Sequence, residues 1–150
     1  MFRLMIVAAA ALFAFAGCAP LPPTPEDTQA KKFEPAPPGK AVIYLVRTNP
    51  DWGDLTATVF LDDEMMGSTH QGTYFRWEVN PGRHRITGFA SDMGAITLDV
   101  QAGRTYFVQH SVLGGGRVST PSSRFWLMPE NAGRAAVRDG MLVGRLGAGS

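Results

Sequence analysis

The sequence predicts an all-β domain, a small antiparallel β-sandwich with one short C-terminal helix. Three observations carry that prediction. Apolar runs rich in β-branched and aromatic residues recur along the chain. Several alternate with period two, so that one face is apolar. Glycine, proline and aspartate turns separate them at roughly 8–12-residue spacing, as expected of a sandwich or barrel.

Ala41 to Val46 is a continuous apolar run with the length and composition of a central strand. Thr56 to Asp62 follows after a break containing Gly and Asp. Asp62-Asp63-Glu64 then reads as a hairpin turn into Met65-Met66-Gly67. In Tyr74 to Val79, Phe75, Trp77 and Val79 point one way, and Tyr74, Arg76 and Glu78 the other. Asn80-Pro81-Gly82-Arg83 fits a type II turn, with Arg83 to Phe89 as the return strand. Ile96, Leu98 and Val100 alternate with polar residues. Ala102-Gly103 turns the chain into a strand from Thr105 to Val112, and Phe125 to Met128 is the last strand expected. Pro129 to Asp139 reads as the helix, with proline at its start and Gly140 just past its end.

The globular unit is thus expected over residues 40–139, one domain's length. A loose, Gly-rich tail is expected over residues 140–150. Residues 1–17 have the layout of a secretory signal: Arg3, then an uncharged apolar stretch. That stretch is short for a membrane span, which needs roughly 20 apolar residues. It ends at Phe15-Ala16-Gly17-Cys18, which resembles a lipobox, with an aromatic Phe15 where an aliphatic residue is usual. Cys18 is the one cysteine of the chain, so no internal disulfide can form. A lipid on its sulfur would also remove the liability of a lone thiol in an oxidising compartment. Cys18 is therefore the expected lipidation site and the membrane the first expected partner. Ala19, rather than Asp, follows the cysteine, which points to the outer membrane, facing the periplasm. Residues 18–39 hold seven of the chain's eleven prolines and are expected to form a semi-rigid tether.

Basic and acidic residues number 14 and 13, and loss of Arg3 with the signal would leave them equal. Such neutrality gives no electrostatic footprint for nucleic acid. The motifs specify no catalytic residue, no metal site and no cofactor. His70, His84 and His110 have no local metal-ligand spacing. His84 is expected at a strand rim, hydrogen-bonded to a loop. Ser111 follows His110 directly, so their side chains point to opposite faces of a strand, wrong for a relay. Asp62, Asp63 and Glu64 are expected at a solvated hairpin tip. An enzyme would have to assemble dispersed residues such as His84, His110 and Asp99. Arg76, Arg83, Arg85, Arg104, Arg117 and Arg124 make the second half locally basic, a possible face for lipid headgroups or cell-wall polymer. Ligand contact is expected at two loops. One carries Trp52 within Asn49-Pro50-Asp51-Trp52-Gly53; the other is Gly114-Gly115-Gly116-Arg117, whose amides and guanidinium suit an anion.

The order of these motifs resembles a bacterial lipoprotein family, the domain of unknown function 2846. The resemblance rests on Ala41 to Arg47, on Val59-Phe60-Leu61-Asp62 with Gly67, and on Gly72-Thr73-Tyr74-Phe75. It extends through Val79-Asn80-Pro81-Gly82-Arg83-His84 and Ala102 to Val108, covering about residues 40–138. The proline-glycine turn and aspartate hairpin also resemble β-sandwich modules of the PEGA type. The resemblance implies a lipid-anchored β-sandwich with no assigned catalysis. The expected role is a non-enzymatic envelope module that binds or supports an envelope protein or a cell-wall component.

Overall fold

A computed structural model describes residues 22–88, 94–114 and 121–144. The expected signal over residues 1–17, Cys18, Gly115, Gly116, Arg117 and the last six residues lie outside that set. The described residues form nine strands in two sheets, with two helices. The first sheet contains β1 (Ala41–Arg47), β4 (Thr73–Val79), β7 (Thr105–Leu113), β8 (Ser122–Leu127) and β9 (Met141–Leu142), in the order β8-β7-β1-β4-β9. The second contains β2 (Ala57–Leu61), β3 (Glu64–Thr69), β5 (Gly82–Gly88) and β6 (Ala95–Val100), in the order β3-β2-β5-β6. The all-β sandwich read from the sequence is therefore the fold, with the C-terminal helix α2 at Glu130–Asp139.

β1 explains the arrangement. All seven of its residues are buried, because both faces are covered. Ala41, Ile43 and Leu45 pack between the sheets with Val59, Phe75, Trp77, Ile86, Leu98 and Val108. Val42, Tyr44 and Val46 face the other way, beneath a helical layer, with Ala30, Tyr74, Phe107 and Val137. A strand buried on both faces reads as a continuous apolar run rather than an alternation. Helix α2 presents Gly133 and Val137, one turn apart, to this layer. Gly133 lies so close to Phe107 that a Cβ there would be 2.3 Å from its Cγ.

Four expectations are corrected. First, the sandwich is not wholly antiparallel: β1 pairs with β7 in parallel, and β4 with β9 likewise. Second, β5 is not the return strand of β4. Gly82, at φ +133°, helps carry the chain across to the other sheet, where β5 pairs with β2 and β6. Period-two patterning decides which face is buried and is silent on which edge is paired. Third, the chain beyond Gly140 is not loose throughout, since Met141 and Leu142 add a strand beside Thr73 and Tyr74. Fourth, the spacer expected over residues 18–39 ends by Thr24, where the chain becomes part of the domain.

That docking follows from a local signal. Thr24 caps a short helix, α1 (Pro25–Ala30), its Oγ1 accepting from the Asp27 amide at 3.1 Å, and Pro25 occupies the first turn. Six residues are too few for a stable isolated helix, so tertiary contacts hold it. Asp27 is buried, and its carboxylate accepts from the Tyr74 hydroxyl and the Leu142 amide, each at 2.8 Å. Lys31 pairs with it at 2.9 Å and donates to the Gly140 carbonyl. Burial alone would raise the Asp27 pKa; the Lys31, Leu142 and Tyr74 donors outweigh it and hold the carboxyl below its usual range. Asp27→Ala is expected to lower stability by about 1–3 kcal/mol, because two buried donors lose their acceptor. Urea unfolding would measure the loss. Faster tryptic cleavage at Lys31 and Lys32 would show that α1 is the part released.

Candidate functional site

The end of β1 organises the loop that follows it. Arg47 is 0 % exposed. Its Nε pairs with Asp51 Oδ2 at 2.8 Å; Nη1 donates to the Leu55 and Thr69 carbonyls at 2.5 and 3.2 Å, and Nη2 to the Gly53 carbonyl at 2.5 Å. One guanidinium thus ties together the backbone of residues 51–55 and the end of β3. A rigid planar fork with several donors suits that task better than a lysine would. Asp51 is held in turn by β7, accepting from the Ser111 hydroxyl and from the Val112 amide at 2.9 Å. Burial would push its pKa up, but Ser111, the Val112 and Trp52 amides and Arg47 hold it below the usual carboxylate range.

The loop so anchored contains a cis Asn49–Pro50 bond and projects Trp52, which is 82 % exposed. A tryptophan exposed on a loop tied down in this way presents a large apolar area whose backbone is already ordered. Gly53 lies directly against the end of β7: a Cβ there would stand 2.7 Å from the Val112 carbonyl and 2.8 Å from that of Gly114. Gly53, next to Trp52 in the first loop singled out by sequence, is therefore a neighbour of Gly114, at φ +79°, the first residue of the second. Gly115, Gly116 and Arg117 lie outside the described residues. Leu55, 40 % exposed, adds apolar surface on the same loop.

The histidines keep separate company. His84 Nδ1 meets Asp62 Oδ2 at 2.6 Å, and Nε2 meets the Asn80 carbonyl at 2.8 Å, the rim contacts expected of it. Burial would lower its pKa, yet Asp62 and Asn80 together raise it. His70 meets Thr56 Oγ1 at 3.2 Å. His110 is fully buried between Thr69 Oγ1 and Ser123 Oγ, each at 3.0 Å, and stacks on Phe125. Burial, and then the Arg47 charge, push its pKa down to about 3, so it is neutral at pH 7. Ser111 does point away from it, towards Asp51. The sequence reading missed the contact with Ser123, which depends on β8 pairing with β7. That hydroxyl is only 3 % exposed and is not offered to a substrate.

Asp99 faces away from His84. It lies opposite Arg83 in the β5–β6 ladder, whereas His84 lies opposite the buried Leu98. The structure therefore does not bring His84, His110 and Asp99 together. No cluster of three or more metal-ligating side chains occurs among the described residues. The arginines do not form an unbroken basic face either: Arg76, Arg83 and Arg85 pair with Glu78, Asp99 and Asp63. Asp62 does more than cap a solvated turn. Asp62 and Asp63 both adopt positive φ at the β2–β3 hairpin, and the Asp62 carboxylate also accepts from the Arg85 amide.

No described helix is long and apolar enough to cross a membrane. A search of curated proteins finds no match. The model of one protein family, described as "Protein of unknown function (DUF2846)", matches residues 37–121, from just before β1 to just before β8. That span covers more than half of the chain and contains both the Arg47–Asp51 anchor and the Trp52 loop, so the chain belongs to the DUF2846 family.

Proposed function

We propose that this chain is a bacterial envelope lipoprotein, anchored through lipid on Cys18, whose domain is a non-enzymatic module that binds another envelope component. The observation that carries the anchor is the position of the lone cysteine, directly after Ala16-Gly17 at the end of an uncharged apolar run. Lipoproteins of this kind carry more than one acyl chain, and about two suffice for stable anchoring. The binding role rests on the exposure of Trp52 on its tied-down loop, with Gly114 beside Gly53. Outer-membrane attachment facing the periplasm fits Ala19 after the cysteine.

The docking of α1 gives this reading a geometric consequence. From Cys18 to Thr24 the chain can reach at most about 22 Å, at roughly 3.3–3.6 Å per residue. A domain tethered so closely would work near the membrane surface.

Intact mass of the membrane-extracted protein, beside Cys18→Ala, tests the anchor. The expected result is loss of residues 1–17 with added acyl mass, both abolished by the substitution. An unmodified Cys18 in the wild type would overturn the proposal.

A further inference from the structure

At the end of the sandwich remote from the Trp52 loop, three connections between strands meet. The β2–β3 hairpin turns at Asp62 and Asp63. Asn80 and Pro81 carry the chain from β4 in the first sheet to β5 in the second. The turn from β6 to β7 returns it to the first sheet, and there the Gly103 amide donates to the Lys40 carbonyl at 2.7 Å. Asn80 and Pro81 belong to neither ladder, because the pairing of β4 with β1 ends at Val79 and that of β5 with β6 begins at Gly82. Among the described residues, two side chains hold Asn80. Lys40 Nζ donates to its Oδ1 at 2.8 Å, and His84 Nε2 meets its carbonyl at 2.8 Å.

His84 lies opposite Leu98, a core residue, so its ring stands at the mouth of the core, with 13 % of the side chain exposed. Its two nitrogens face two acceptors. Nδ1 meets Asp62 Oδ2 at 2.6 Å, and Nε2 meets the Asn80 carbonyl. Neither acceptor has a proton to give. Burial would raise the Asp62 pKa, but the Arg85 amide and His84 outweigh it and hold the carboxyl below its usual range, ionised. A neutral imidazole has one N–H, and only the imidazolium has two. Both contacts can therefore be hydrogen bonds only when the ring is charged. The other charges at this end are paired elsewhere: Arg85 with Asp63 at 3.9 Å and Arg83 with Asp99 at 3.5 Å. Arg76 and Glu78 pair on the outer face of the first sheet, where Arg76 lies over Tyr44. Asp62 is thus the charged group in contact with the ring among the described residues.

We propose that His84 is a pH-operated latch on this end of the sandwich. Protonated, it ties the β2–β3 hairpin to the Asn80–Pro81 crossover. Deprotonated, it keeps Asp62 and lets Asn80 go. The two contacts are unequal, because an ionised acceptor makes a stronger hydrogen bond than a neutral carbonyl. The proton that remains therefore stays on Nδ1. Nε2 then presents a lone pair to the Asn80 carbonyl, and two acceptors repel. Asp62 is also the fixed partner, since its Oδ1 accepts from the Arg85 amide at 2.8 Å. Asn80 would retain only its exposed contact with Lys40. Burial alone would lower the His84 pKa; Asp62 and the Asn80 carbonyl outweigh it and raise it above 6.5. The latch is therefore closed below pH 6.5 and opens as pH rises through the folded value. It depends on neither the lipid anchor nor the Trp52 loop.

The test is NMR of the ¹⁵N-labelled full-length chain in detergent micelles, taken across the titration of His84. The ring nitrogen shifts report which nitrogens carry protons. Both should be protonated in acid, and Nδ1 alone above a midpoint higher than 6.5. Through that midpoint the order parameter of the Asn80 amide should fall from about 0.85, rigid, to below about 0.6. The Asp62 amide, which donates to the Arg85 carbonyl at 2.8 Å, should stay rigid throughout. Asp62→Asn removes the charge and keeps an accepting oxygen. It should lower both the midpoint and the pH at which Asn80 loosens. His84→Leu should leave Asn80 mobile at every pH. Three results would overturn the inference, the first two read on the wild type alone. In one, His84 titrates at or below 6.5 in the folded chain. In another, the Asn80 amide is equally ordered on both sides of the midpoint. In the third, Asp62→Asn leaves the pH of loosening where it was.

Discussion

Arg47→Met is expected to destabilise the domain by about 3–5 kcal/mol, the range for removing one partner of a buried ion pair. Both side chains are almost inaccessible, at 0 % for Arg47 and 2 % for Asp51. Methionine keeps much of the volume but none of the donors. The Asp51 carboxylate would then sit buried with Ser111 and backbone amides but no cation. The carbonyls of Gly53, Leu55 and Thr69 would lose their shared donor. Total stabilities of about 5–15 kcal/mol are usual for domains, so the variant would be close to its limit. The double variant Arg47→Met, Asp51→Leu should recover part of the loss, because it removes the stranded charge as well. Urea unfolding measures both effects. A single-variant loss below about 1 kcal/mol, smaller than one lost buried hydrogen bond, would show that the pair is not the anchor. The variant should also raise the mobility of Trp52, read as a fall in its fluorescence anisotropy with Trp77 and Trp126 replaced by phenylalanine.

Acidification is expected to weaken the fold well above the range where carboxylates titrate. The cause is His110, whose pKa falls from 6.5 to about 3 on burial. Between those values the unfolded chain takes up a proton that the folded chain refuses. Stability is therefore complete above pH 6.5 and declines as pH falls towards 3. From pH 7 to pH 4.5 the loss should be about 2–3 kcal/mol. His84 works in the opposite sense, because its pKa is raised and its contribution grows on acidification below its folded pKa. It recovers a little of the loss. Asp27, Asp51 and Asp62, with lowered pKa values, add their own losses only near and below 3.8. Keeping to pH 4.5 and above separates them from His110. His110→Gln retains hydrogen-bonding atoms without a titrating ring and should flatten the profile. A wild-type profile as flat as that of the variant would refute the assignment.

Some of this was legible in the residues and some was not, for reasons that differ element by element. β1 and β4 were readable because burial imposes a pattern on side chains: apolar throughout where both faces are covered, alternating where one is. The pairing of β1 with β7 was not, since no residue pattern records which strand edge meets which. α1 and β9 were missed because six and two residues carry no measurable period. The signal for α1 was nonetheless present in Thr24-Pro25-Glu26-Asp27, a capping residue followed by proline and acids, inside a segment whose composition suggested a spacer. The exposure of Trp52 followed from its turn-like surroundings. Its anchor did not, although an arginine closing an apolar strand, with an aspartate four residues on, was a usable sign. The second acceptor on the His84 ring, the Asn80 carbonyl, could be found only in three dimensions.

The central position of β1 also governs the order of events when the chain folds. Its neighbours are drawn from far along the sequence, with Ala41 beside Val79 and Val42 beside Thr105. During synthesis, β1 therefore emerges long before either partner, and the cover of its outer face, begun by Ala30 and Phe33, is completed only when α2 has been made. Contacts between such distant positions slow folding, because loop closure must precede any gain from pairing. Until then the apolar run and its unpaired edges are hazards for aggregation. The local pairs β2–β3 and β5–β6 can form early, but the first sheet cannot be completed around β1 until β7 has been made.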